Sequence, residues 1–144
     1  MHRTHTLYDL QHEKSTAPSS LFSTNARLLW FKSIEHQQLC HLSNQNLSEL
    51  MALKILPEFT LFESLHRLYE DPMAGTLEDG ELLQTVAYNF TEEFWKNHPK
   101  SNYQMTEFLT MLSTFKVAEN YHWKSEIEKK NYFYALETLS NQLK

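Results

Sequence analysis

Apolar side chains recur at intervals of three and four residues along most of the chain, the signature of helices that bury one face. Leu28, Phe31, Leu39 and Leu42 lie on one such stripe, widened by Leu29, Trp30 and Ile34, with the carboxylate of Glu35 inside it. Thr24 or Asn25 is placed to cap this stripe, because a side-chain oxygen there accepts from a free amide of the first turn. The pattern predicts a helix from that cap to about Leu42. Asn46, Leu47, Ser48 and Glu49 approximate a capping box and predict a short helix through Leu56, ended or kinked by Pro57.

Between Glu58 and Glu70 the apolar positions are Leu61, Phe62, Leu65, Leu68 and Tyr69, again at helical spacing. A fourth helix is expected from about Gly80 to Asn97, burying Leu82, Leu83, Val86, Ala87, Phe90 and Phe94 and closed by His98 and Pro99. Ser101 is read as the cap of a long helix to about His122, with Met105, Phe108, Leu109, Leu112, Phe115 and Ala118 facing inward. Ser125 and Glu128 form a proper capping box and open a last helix striped by Tyr132, Ala135, Leu136, Leu139 and Leu143. No strict apolar alternation appears, and two glycines are too few for a sheet protein with many tight turns. The expectation is an all-α, single-domain bundle of five to six helices over residues 20–144. Residues 1–19 are polar and hold three of the eight histidines, and are read as a flexible N-terminal arm.

Charge changes this picture at one place. The chain has 18 acidic and 13 basic residues, and Glu70, Asp71, Glu78, Asp79 and Glu81 fall within one short segment that also contains both glycines. Without these five the chain would carry 13 of each sign. An acidic connector between two helical halves follows. This balance argues against nucleic acid, whose affinity rests on Lys and Arg displacing counterions, and favours a basic protein partner. The single cysteine, Cys40, permits no intramolecular disulfide and points to the reducing cytoplasm. Apolar runs such as Leu28 to Phe31 are too short for a membrane span or a signal peptide.

Candidate chemistry is sparse. Two Glu-x-x-His triplets, Glu63 with His66 and Glu119 with His122, match the spacing used by carboxylate-bridged metal bundles, with Glu35 and Glu93 as further ligands. At 100° per residue, however, Glu63 lies opposite its helix's apolar stripe and is expected to face water. Glu119 and His122 lie on the apolar face and are expected to form an interior polar pair. His36 and Cys40 are four residues apart, but His41 points away and no further ligand is near, so Cys40 is read as structural. Phosphate-binding glycine loops, GxSxG and HExxH are all missing. The spacing of Asp71, Glu78, Asp79 and Glu81 is not that of a calcium loop. A helix-turn-helix around Pro57 would bring Glu58, Glu63, Glu70 and Asp71 toward phosphates with Arg67 as the lone basic residue. No catalytic residue, metal or cofactor is assigned.

Phe133 and Tyr134 fall off the last helix's stripe and are expected to be exposed or to touch another chain, a homodimer included. The function expected is a non-enzymatic protein-binding module: a small acidic inhibitor or immunity protein that neutralises a basic partner such as a nuclease toxin. Its partner-binding residues would be Glu70, Asp71, Glu78, Asp79, Glu81, Phe133 and Tyr134. A secretion chaperone or adaptor is the alternative within that class. A helical-bundle metal-binding enzyme with Glu-x-x-His ligands is the alternative outside it.

Overall fold

A computed structural model of the protein describes residues 2–14 and 24–144. Among these residues there are nine α-helices and no strand, apart from one isolated bridge between Thr6 and Gln38. The chain is all-α, as its periodicity implies, but the helices are shorter and more numerous than five or six. It divides into two compact units, Met1–Glu63 and Ser64–Lys144. The acidic segment therefore does not separate two halves: it lies inside the second unit, and the division falls within a helix.

The first unit contains α1 (Leu7–Lys14), α2 (Asn25–Ile34), α3 (Asn44–Ala52) and the start of α4 (Pro57–Glu70). The expected N-terminal arm is, over the described part of its length, a piece of this unit's core. Leu7 and Leu10 are 0% exposed and pack with Phe31, Ile34, Leu39, Leu42, Leu50, Ile55, Leu56 and Phe59. Burying two leucines contributes about 2 kcal/mol each, enough to hold a short helix whose polar composition hides it. Residues 15–19 of that arm lie outside the described residues.

The same segment explains why α2 stops at Ile34 and not at Leu42. Thr24 caps it as expected, accepting from the Arg27 amide. Beyond Ile34 the backbone leaves the helix and pairs with the N-terminal residues: Tyr8 N–H donates to Glu35 C=O and Leu39 N–H to His5 C=O. Ser43, three residues ahead of the expected cap, opens α3 by accepting from the Asn46 amide. Lys54 then takes a left-handed conformation (φ 60°), and Ile55 N–H reaches back to Leu50 C=O to close the helix end. Pro57 does not end this helix; it is the first residue of α4, where a missing N–H costs nothing.

Glu63 corrects another expectation. It is not solvated but 0% exposed, and Arg3 reaches it with Nε at 2.7 Å and a guanidinium nitrogen at 3.3 Å. Glu63 does lie opposite the Leu61, Leu65 and Leu68 stripe, but Arg3 covers it on that side of α4.

The second unit continues with α5 (Glu81–Asn89), α6 (Glu92–Asn97), α7 (Pro99–Thr114), α8 (Val117–Asn120) and α9 (Glu126–Leu143). The single helix expected over 80–97 is broken at Phe90, because Thr91 accepts from the Phe94 amide and starts a new one. Pro99, ahead of Ser101, begins α7. That helix ends at Thr114, where Lys116 turns left-handed (φ 50°). Leu82, Leu83, Val86, Ala87, Trp95, Phe108, Tyr132, Ala135 and Leu139 are buried in this unit. Gln142 joins three helices here: its Nε2 donates to Ala87 C=O at 3.0 Å and its Oε1 accepts from Trp95 Nε1 at 3.1 Å.

Leu10→Ala is expected to lower stability by about 2–5 kcal/mol, as for other fully buried leucines. A free arm would show a change within about 0.5 kcal/mol. Urea unfolding of the variant distinguishes the two.

Candidate partner-binding site

Residues 71–80 join α4 to α5 without regular structure, so their backbone amides need acceptors from elsewhere. The acidic side chains supply many of them. One oxygen of Glu81, Oε1, accepts from three successive amides: Thr76 at 2.6 Å, Leu77 at 2.6 Å and Glu78 at 3.0 Å. Asp71 Oδ1 accepts from Met73 N–H at 3.0 Å. Glu128 Oε1, from the first turn of α9, accepts from Asp79 N–H at 3.3 Å. Backbone bonds from Ala74 to Asp71 C=O, from Gly80 to Met73 C=O and from Leu82 to Ala74 C=O fold the segment back on itself.

Ser125 caps α9 as the sequence indicates, accepting from Glu128 N–H at 3.2 Å. The capping-box carboxylate, in contrast, is turned to the connector and is buried. Tyr132 completes the support: it is fully buried and its hydroxyl donates to Pro72 C=O at 3.0 Å. Both glycines are required. Gly80 has φ +85°, and a Cβ there would run into the Tyr132 ring. A Cβ on Gly75 would overlap the Glu78 carbonyl oxygen.

Asp79 faces inward as well. Its Oδ2 accepts from the Tyr121 hydroxyl at 2.6 Å and Lys124 Nζ lies 3.8 Å from Oδ1. The hydrogen bond to Asp79, followed by burial, pushes the Tyr121 phenol up to about 12. Burial alone would raise the Glu81 carboxyl. The amides of Glu78, Leu77 and Thr76 outweigh it and hold that carboxyl below its ordinary value of 4.5.

The five carboxylates expected to face a partner thus separate into two sets. Asp79 and Glu81 are part of the loop's internal bonding, and Asp71 contributes one bond while exposed. Glu70, on the last turn of α4, is exposed and pairs with His66 at 2.8 Å. Glu78 is exposed. The loop's apex is Leu77, 87% exposed, which periodicity could not single out because the segment has no period. Tyr134 is 63% exposed and Phe133 half-buried, so both lie off the buried stripe of α9 as expected. Trp123, just ahead of α9, touches both Tyr121 and Tyr132, with ring centroids 4.8 and 5.1 Å apart.

The other candidate chemistry is not brought together. Glu119 and His122 are both exposed, since α7 ends at Thr114 and the left-handed Lys116 re-aims the residues after it. The interior pair expected of them does not form. His36 and His41 are exposed, and the half-buried Cys40 lies 3.8 Å from Gln38 Oε1. With α2 ended at Ile34, the helical register that would set His36 beside Cys40 is lost. Among the described residues no group of three or more His, Cys, Asp or Glu is placed to hold a metal. A groove of about 470 Å³ along α7 and α9 is lined by Thr106, Leu109, Thr110, Ser113, Ser140 and Lys144 among others. No described helix is long and apolar enough to cross a membrane. Comparison with protein-family models, curated proteins and solved structures finds no match to this chain.

Glu81→Gln keeps the shape of the side chain but removes the charge that three amides share, and is expected to lower stability by about 1–2 kcal/mol. Because the native carboxyl is depressed, its contribution is complete well above 4.5 and is lost as pH falls through the lower folded value. Thermal unfolding of protein and variant from neutral pH downward is expected to converge in that acidic window. Curves that stay parallel throughout would show that Glu81 does not support the fold.

Proposed function

We propose that the protein is a non-enzymatic binding module that docks a basic protein through the 70–81 loop. The observation that carries this reading is a loop most of whose amides are hydrogen-bonded within the protein and whose apolar Leu77 is nevertheless 87% exposed. An isolated exposed leucine is ordinary; one held at the tip of a braced loop and flanked by exposed carboxylates is suited to entering a pocket with a basic rim. A preformed loop loses little conformational freedom on docking, which leaves more of the contact energy for affinity.

Twelve of the 18 acidic residues and eight of the 13 basic ones belong to residues 64–144, so four of the chain's five surplus negative charges belong to that unit. Glu70, Asp71 and Glu78 are the carboxylates that meet the partner; Asp79 and Glu81 act by holding the loop. Neutralising inhibitor or immunity protein of a nuclease toxin is the form of this reading we favour, because a nuclease presents cationic groups that carboxylates can occupy in place of phosphates. The module acts in the cytoplasm, in line with its single cysteine. The alternative of a metal-binding enzyme gains no support from Glu119 and His122, both exposed.

Leu77→Ser and Glu78→Gln alter the tip without touching the Glu81 bonds. Wild-type bait in native lysate is expected to retain a protein of basic isoelectric point, and either variant bait to lose it. With that partner purified, the association rate is expected to fall as salt is raised, and to fall less steeply for Glu78→Gln. Capture that is indifferent to both variants and to salt would refute the proposal.

A further inference from the structure

A second feature of the same unit is not used by the loop. Tyr88 on α5 and Tyr134 on α9 are 51% and 63% exposed, with ring centroids 6.4 Å apart and planes inclined by 34°. Their backbones are fixed by one of the best buried contacts of the unit: Leu83, Val86 and Ala87 of α5 and Tyr132, Ala135 and Leu139 of α9 are all buried. Two large rings are thus held side by side in solvent by a rigid pair of helices.

We infer that Tyr88 and Tyr134 form a receptor for an arginine side chain of the basic partner. The inference rests on the reading that the partner is basic and adds a contact to it. Aromatic faces are electron-rich, and a cation within about 6 Å of a ring centroid is inside the range of cation–π attraction, so two rings 6.4 Å apart offer faces to one side chain. A planar guanidinium also stacks on a ring, which an ammonium does not.

Charge supports a cationic occupant over a neutral one. Glu137, exposed and one turn beyond Tyr134, is placed to pair with a guanidinium lying over the rings. Lys130, exposed and one turn before Tyr134, opposes it from the other end, so the cation is expected toward Glu137. The pair is also continuous with the loop. Tyr88 follows Glu81 by seven residues, which returns it to the same side of α5 about 10 Å further along. One partner surface can therefore cover the Leu77 tip and the tyrosine pair together.

A hexa-arginine peptide and its hexa-citrulline counterpart, which keeps the shape but not the charge, provide the test. The arginine peptide is expected to shift the ring resonances of Tyr88 and Tyr134 at low salt, and the citrulline peptide to leave them unmoved. Tyr88→Leu with Tyr134→Leu is expected to weaken the arginine peptide about fivefold or more, with melting unchanged because both rings are exposed. Equal shifts from both peptides, or unchanged affinity in the double variant, would overturn the inference. So would a self-association that the double variant abolishes, since a second copy would then be the occupant. Leu77→Ser and Glu78→Gln separate the two readings. If they abolish capture of the native partner while the double tyrosine variant has no effect on the peptide, the loop reading stands and this one fails. If the tyrosine variant weakens the peptide and the tip variants leave partner capture intact, the reverse holds.

Discussion

Ten residues outside the helices stand between α4 and α5, and the demand of most of their amides for acceptors organises the second unit. Carboxylates meet that demand better than neutral groups, because a charged acceptor strengthens each bond and three donors can converge on one oxygen. Glu81 does this from the start of α5, and Glu128 does it from the start of α9. The connector is therefore fastened to two helices by their own first-turn acids. Tyr132 below and Gly80 above leave little room for any other backbone path. What composition presents as a surplus of negative charge is, for Asp79 and Glu81, part of the fold's internal hydrogen bonding.

This arrangement bears on function because it removes two acids from the surface and adds a leucine to it. A loop that spends its polar groups inward and shows an apolar apex is an unusual expenditure unless something covers that apex. The tyrosine pair further along α5 has a similar character, being rigidly supported and open to solvent. Both features sit on a unit whose net charge is negative, and the proposal of a cationic partner rests on that complementarity.

Much of the architecture could be read from the chain. Leu61, Leu65 and Leu68 of the α4 stripe, Tyr132, Ala135 and Leu139 of the α9 stripe, the caps at Thr24 and Ser125, and the outward placement of Tyr134 follow from local periodicity and capping chemistry and are present, whereas Phe62 and Tyr69 of the α4 stripe are exposed. The misreadings have two kinds of cause: a distant segment that outcompetes a local pattern, and a local break or cap that periodicity does not show. Residues 5–8 take the backbone groups that would have carried α2 to Leu42, and Arg3 covers the side of α4 that leaves Glu63 exposed on a wheel. A single left-handed lysine, Lys116, shortens α7 and removes the Glu119 and His122 pairing that a continuous helix implied. Leu77 and the inward turn of Glu128 had no local signal, since neither follows from spacing within its own element.

The pairing of Arg3 with Glu63 also sets an order of events during synthesis. Ile55, Leu56 and Phe59 of the core and the carboxylate that receives Arg3 are translated roughly 45–60 residues after Leu7, Leu10 and Arg3, several seconds at ordinary elongation rates. For that interval Leu7 and Leu10 have Phe31, Ile34, Leu39, Leu42 and Leu50 to pack on but lack the last side of their core, so the unit is only partly closed. Completion of residue 63 is the moment at which the first unit can lock.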